Sequence, residues 1–411
     1  MKILCLSGRR GGAPRVEEYR VIGFEIEICL PVADQAGDPI AGDTLLAASR
    51  TVHGYGRGDV PIYTLVSDYR SLPTQQAYSN LEFVTKPWRV VGDARVVGPV
   101  LVENTLGQIR QVRDALYEVA EEAAETEEGT APLDVAAATW LNYTTAGKAL
   151  LLTPGNGYEE EAGTEGNGDG LYPHYSVGVP LGGMPYFLDR LREAAPVVDD
   201  KMLLPQARHR LVQAKAFAAS AMEDFRQRGA GESRVRERRE LDGYLQFAFT
   251  QIAAFADYVA PDEDEGQIKN GTVLLSRAVL AEVFAQLSAE AQSFLRQRVQ
   301  DLITKVSEYQ EDPYEGPKLA FRDRATRAIV ANAPVSLVAY AQAAFNGRVS
   351  ISQERVFGGM REVPPHAEEE AVMIPFEIRT LRASRKTWGQ LSTDLADLCA
   401  WAQAAYERGR V

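Results

Sequence analysis

Gly23-Phe24-Glu25-Ile26-Glu27-Ile28 alternates apolar and acidic residues with a period of two. That period is the signature of a half-buried β-strand. Successive strand side chains point to opposite faces, so Phe24, Ile26 and Ile28 share one face and Glu25 and Glu27 stand together on the other. Two adjacent carboxylates repel each other and resist burial. A wet sheet face tolerates them, and so does a site where a cation sits between them. Hard oxygen ligands of this kind suit Mg²⁺.

Three further stretches repeat the pattern. In Ser79-Asn80-Leu81-Glu82-Phe83-Val84-Thr85, Leu81 and Phe83 face one way and Asn80, Glu82 and Val84 the other. Lys86-Pro87 closes that strand, since proline has no ladder donor. In Tyr172–Pro180, His174, Ser176 and Gly178 share a face. Ile374–Leu381 places Glu377 and Arg379 two residues apart. A solvated face explains any one of these strands. Four with the same chemistry point to one antiparallel sheet, apolar on a helical core and polar on its other face. The fold class expected is therefore α+β.

The intervening sequence completes the plan. Ile62–Ser67 reads as a strand, and residues 31–60 as a long loop around short elements. Leu106, Ile109, Val112, Leu116 and Val119 recur at helical spacing over 103–125, with Asn104 or Thr105 as the cap. Glu121–Glu128 reads as a solvated helix end, and the glycine-rich acidic run 155–170 as a flexible loop. Gly182-Gly183 opens a helix over Met184–Ala194. Residues 203–227, 236–259, 276–285 and 288–308 read as successive helices. The second is apolar on much of its circumference, which predicts burial. Gly316–Arg322 reads as a strand leading into a helix start at Arg324–Val330. Helices follow at 335–346 and 388–408. Three parts are expected: 1–198 and 311–411 as two portions of the sheet domain, with 199–310 as a helical insertion.

Composition narrows the partners. The 411 residues carry 57 acidic and 44 basic side chains, a formal charge of −13. Such a balance argues against nucleic acid or an anionic membrane as the main partner. No apolar run reaches the length of a membrane span. Three scattered cysteines, Cys5, Cys29 and Cys399, make no disulfide framework, and the cytoplasm is the expected compartment, with export by a signal-free route left open. Four histidines lack zinc-site spacing, and no nucleophile elbow, zinc-protease, Rossmann or Walker pattern occurs.

A polar face with several carboxylates calls for cations, and phosphoryl transfer also needs positive groups opposite the moving phosphate. Lys318, Arg322, Arg324 and Arg379 are the candidates. Surface charge is the plainer reading of Arg322 and Arg324, and a structural ion pair with Glu377 that of Arg379. A structural role is likewise the plainer reading of His174.

The ordered set Gly-Phe-Glu-Ile-Glu, Asn-Leu-Glu-Phe-Val-Thr-Lys-Pro, His-Tyr-Ser-Val-Gly-Val-Pro-Leu and Pro-Phe-Glu-Ile-Arg resembles the amidoligases of the glutamine synthetase and glutamate–cysteine ligase superfamily. The resemblance runs in short islands from about residue 20 to 382 and leaves 185–315 unmatched. It implies a curved antiparallel sheet whose concave face binds ATP and Mg²⁺ or Mn²⁺. By it, Glu25, Glu27 and Glu82 are the metal ligands. His174, Ser176, Arg324 and Glu377 lie toward the nucleotide, and Lys318, Arg322 and Arg379 are the catalytic cations. Ser176 stands where relatives often carry a second polar ligand. The implied reaction joins a carboxylate to an amine through an acyl phosphate, on small-molecule, peptide or protein substrates. A metal-dependent hydrolase, an amino-group transferase, and a catalytically silent interaction protein working through 199–309 remain alternatives. Self-association is left open.

Overall fold

The computed structural model describes residues 18–49, 61–70, 78–85, 88–91, 97–134, 139–140, 148–152, 171–194, 205–227, 235–256, 274–276, 278–309, 321–322, 329–330, 337–347, 365–368, 371–379 and 386–409. Strands β1 (Glu18–Asp34), β2 (Thr44–Ser49), β3 (Tyr63–Arg70), β4 (Tyr78–Thr85) and β5 (Trp88–Val91) precede helix α1 (Val97–Ala123). Strands β6 (Thr130–Pro132), β7 (Thr139–Trp140), β8 (Ala149–Leu152) and β9 (Leu171–Pro180) come next. A 3-10 turn at Leu181–Gly183 leads into α2 (Met184–Ala194), followed by α3 (Pro205–Gln227) and α4 (Val235–Ala256). Then come β10 (Leu274–Ser276), α5 (Leu280–Phe284), α6 (Ala289–Gln297) and α7 (Val299–Tyr309). The last described elements are β11 (Phe321–Arg322), β12 (Ile329–Val330), α8 (Leu337–Asn346), β13 (His366–Glu368), β14 (Ala371–Arg379) and α9 (Trp388–Gly409).

Twelve of these strands form one sheet, with main order β10-β14-β9-β1-β4-β3-β2-β7. The expected α+β class with an antiparallel sheet is what the structure shows. The four pattern-bearing strands, drawn from between Glu18 and Arg379, lie side by side as β14-β9-β1-β4, and their ladders are antiparallel. Long β1 carries two partners on each side: β5 then β4 on one, β9 then β8 on the other. Register shifts near Arg20/Ile22 and Ile28/Pro31 mark bulges, which bend a strand and raise its twist.

The apolar face of the sheet is the molecule's core. Ile22, Phe24, Ile26, Ile28, Leu81, Phe83, Val177, Phe376 and Ile378 are all buried there. Helices α2 and α4 press aromatic rings onto β14: Phe247 meets Phe376 edge-on at 5.7 Å, and Phe187 lies 6.4 Å away. Burying one such ring contributes about 1.5–3 kcal/mol. Expected burial of the second helical segment is met in α4, where Leu245, Phe247, Phe249 and Ile252 are inaccessible. These helices share one continuous apolar cluster with the sheet.

Two glycines set how closely the helices approach. A Cβ on Gly243 of α4 would fall 2.0 Å from the carbonyl oxygen of Leu181, and one on Gly183 would fall 2.0 Å from that of Ala405. The 3-10 turn after β9 is thus wedged between α4 and α9.

Several sequence expectations need correction. Thr44–Ser49, expected within a long loop, is β2. Its residues Leu46, Ala47 and Ala48 are all buried, so it shows no alternation to read. Helix α1 begins at Val97, which puts Asn104 and Thr105 inside it; Thr105 is buried and is no cap. Ser276, the first residue of an expected helix, instead ends strand β10 on the edge beside β14. Ile329-Val330 pairs with Phe321-Arg322 in a small separate sheet instead of continuing a helix; a β-branched pair favours that outcome. The expected loop at 155–170 lies outside the described residues.

Candidate active site

Strand register builds the site row by row. In one row, Glu25 of β1 lies opposite His174 of β9, and His174 lies opposite Arg379 of β14. In the next, Gly23, Ser176 and Glu377 align across the same three strands. On the other side, Glu27 pairs with Glu82 of β4 and with Tyr172 of β9. Alternation on each strand predicts these residues on a common face, and the polar side chains bear it out: Glu25, Glu82, His174 and Ser176 are half-buried while their apolar neighbours are fully enclosed.

Local pins hold the strands in this register. The Thr85 hydroxyl accepts from the Phe24 N–H at 2.8 Å and donates to the Phe24 carbonyl at 2.9 Å. This buried clasp joins β4 to β1 at the residue preceding Glu25. A one-residue slip of β4 would turn Glu82 toward the core.

His174 sits between two carboxylates. Its Nδ1 is 3.9 Å from Glu25 Oε2 and its Nε2 is 3.7 Å from Glu27 Oε1. One ligand atom from each of Glu25, Glu82 and His174 lies within 4.8 Å of the others. Two ligands on one Mg²⁺ or Mn²⁺ ion, each bonded at about 2.1 Å, can be at most about 4.2 Å apart. Three ligands sharing one ion lie closer still, so side-chain shifts of up to about an ångström complete the site. Carboxylate oxygens with one imidazole suit Mn²⁺ well, and oxygen ligands suit Mg²⁺. The residues present therefore fit a divalent cation.

The structure brings together Glu25, Glu27, Glu82, His174, Ser176 and Glu377 on adjoining strands, and register puts Arg379 in the same band. Glu377 and Glu27 are nearly inaccessible, at 2% and 7% exposure. Arg322 belongs to the separate two-stranded sheet, not to the large one. Lys318 and Arg324 lie outside the described residues.

One residue escapes the sequence reading. Tyr172 shares the parity of His174 and is buried opposite Glu27; counting by twos from His174 finds it. Asn80, on the Glu82 face as its parity predicts, is buried beside Pro31 and Asp68.

No family model and no curated protein matches the chain. Two solved structures align with it. One is a Vibrio cholerae toxin from the MARTX/VgrG family, 13% identical, covering 92% of this chain and 97% of that one, with a TM-score of 0.47. The other is a glutamate-to-glutamine mutant of a VgrG Vibrio cholerae toxin ACD domain, in complex with ADP and Mn²⁺. It is 14% identical and covers 92% of this chain and 100% of that one, again with a TM-score of 0.47. Likeness at this level decides nothing about chemistry.

Proposed function

We propose that this chain is an ATP- and divalent-metal-dependent ligase that joins a carboxylate to an amine. The observation that carries the reading is the convergence of Glu25, Glu82 and His174 to within 4.8 Å at the centre of one sheet face. Glu27 and Ser176 are on neighbouring rows of β1 and β9, and Glu377 is on adjoining β14.

In this reading Glu25, Glu82 and His174 hold a Mg²⁺ or Mn²⁺ ion, and Glu27 adds a further carboxylate beside it. When bound, the ion neutralises charge on the triphosphate oxygens. Small residues, Gly23, Ser176 and Gly178, leave the sheet surface low beside His174, where the nucleotide would lie. Glu377, enclosed and next to Ser176, orients the substrate end of the site. Arg379 is the cation for the transferred phosphate, with Lys318, Arg322 and Arg324 as the other basic groups of the proposal.

The reaction balances as two displacements. A substrate carboxylate oxygen attacks the γ-phosphorus of ATP, and the bond to ADP breaks. The amine nitrogen then attacks the acyl carbon, phosphate leaves with the bonding pair, and the amine gives up a proton. The carboxylate and amine can belong to a small molecule, a peptide or a protein. The cytoplasm is the proposed setting for the ATP supply.

Hydroxylamine tests this without knowledge of the natural amine. The chain is incubated with Mg·ATP, hydroxylamine, and glutamate or a glutamyl peptide. The expected result is ADP, phosphate and hydroxamate in equal amounts, lost in Glu25→Gln. ADP and phosphate released without hydroxamate from either donor would favour the hydrolase reading. Tight Mg·ATP binding that is lost on joint Glu25→Ala and Glu27→Ala replacement would count against a silent interaction protein.

A further inference from the structure

Behind His174, on the opposite face of the sheet, the core contains three polar groups that the proposed chemistry does not use. The Tyr175 hydroxyl donates to Asp394 Oδ2 at 2.7 Å. Lys386 Nζ lies 3.4 Å from the same oxygen. All three residues are almost completely buried. Asp394 belongs to α9 and interrupts an apolar stripe made by Leu391, Leu395 and Leu398. The nearby main chain is tied as well, since the Lys386 N–H donates to the Leu171 carbonyl at 3.1 Å. Strand β9 is therefore fastened to the start of α9 at two points, Leu171 and Tyr175, and His174 lies between them.

Stability alone does not account for this arrangement. Exchanging a buried ion pair for well-packed apolar residues is often neutral or stabilising. Directional bonds supply what apolar contact does not, a single fixed position. Tyr175 and His174 share one planar peptide unit, and their side chains project to opposite faces. Holding the Tyr175 hydroxyl thus holds the peptide that carries the imidazole. Metal–ligand distances tolerate about 0.2 Å, so a small shift of that peptide would matter.

We infer that Tyr175, Asp394 and Lys386 form a buried tether by which the C-terminal helix positions His174 for the metal. These are positioning residues, acting through the main chain of β9 without touching the ion. The inference rests on the proposed ligand role of His174.

The test uses the full chain with Mn²⁺ alone, without ATP. Electron paramagnetic resonance titration gives the Mn²⁺ affinity, and pulsed measurement detects coupling from imidazole nitrogen to the bound ion. Tyr175→Phe keeps the ring and removes the hydroxyl; Asp394→Leu keeps the volume and removes the acceptor. Tyr244→Phe is the control, because that fully buried tyrosine donates to the Ala344 carbonyl far from the sheet's polar face. Positioning predicts about a tenfold loss of Mn²⁺ affinity and a weakened nitrogen coupling in both test variants, the low end of what supporting shells contribute. It predicts neither change in Tyr244→Phe, even where the melting temperature falls. Test variants that fold and keep wild-type affinity and coupling would overturn the tether. Failure of both to fold would also overturn it, since a tether leaves a folded protein with a displaced ligand. Absence of nitrogen coupling in the wild type would instead overturn the ligand role of His174.

Discussion

At the scale of single residues, burial and charge decide what each group can do. Glu25 and Glu82 reach His174 from two different strands, so losing either carboxylate removes one arm of the same cluster. Glu25→Gln and Glu82→Gln should each weaken Mn²⁺ binding more than about tenfold, beyond the contribution of supporting residues; isothermal titration would measure it. Cys399 offers the opposite case. Burial pushes its thiol up to about 12, and only 1% of the residue is exposed. The thiolate is the reactive form. Iodoacetamide at pH 8 should leave Cys399 unlabelled in the native protein and label it in denaturant, read by peptide mass spectrometry. Much of the residue scale was legible, because strand parity assigns a face to Glu25, Glu27, Glu82, His174, Ser176 and Glu377. Tyr175–Asp394 was not, since its partners are 219 positions apart. A trace existed: Asp394 occupies an i+3 position in an otherwise apolar helical stripe.

At the scale of elements, helix ends and close crossings set the framework. Helix α9 opens with a capping box. The Thr387 hydroxyl accepts from the Gln390 N–H at 3.2 Å, and the Gln390 side chain accepts from the Thr387 N–H at 2.9 Å. Thr387→Ala should cost about 1 kcal/mol in denaturant unfolding. Gly243→Ala should cost about 3 kcal/mol or more, because the new methyl would meet main chain that cannot turn aside. Helices α3 and α7 are joined by Asp224, which accepts from Lys305 at 2.9 Å and from Arg298 at 3.4 Å. The Lys305 hydrogen bond, with the charges of Lys305 and Arg298, holds the Asp224 carboxyl below its ordinary value of 3.8. A lowered folded value means stability that is present above pH 3.8 and lost as pH falls through the folded value. The melting-temperature gap between wild type and Asp224→Asn should therefore narrow as pH drops below about 4. Long periodic helices were readable in the sequence. Short elements such as β2, β10 and β12 were not, because two to six residues carry too little period to separate strand from helix or loop.

At the scale of the whole molecule, the sheet gathers strands from both ends of the chain. Its central order β14-β9-β1-β4 puts the last pattern-bearing strand two places from the first. Sequence order alone could not supply that adjacency; it came from the shared apolar face, which only one sheet can bury. The basic residues remained illegible for a physical reason. Lysine and arginine serve surface and site alike, and Arg322 joins a separate pair of strands. The central claim is that Glu25, Glu82 and His174 close on one divalent ion. Anomalous diffraction from crystals grown with Mn²⁺ and a non-hydrolysable ATP analogue measures this directly. The account predicts a Mn²⁺ peak within about 2.3 Å of a carboxylate oxygen of Glu25, one of Glu82 and a ring nitrogen of His174. A fully occupied Mn²⁺ elsewhere, with those three side chains unbound, would contradict it.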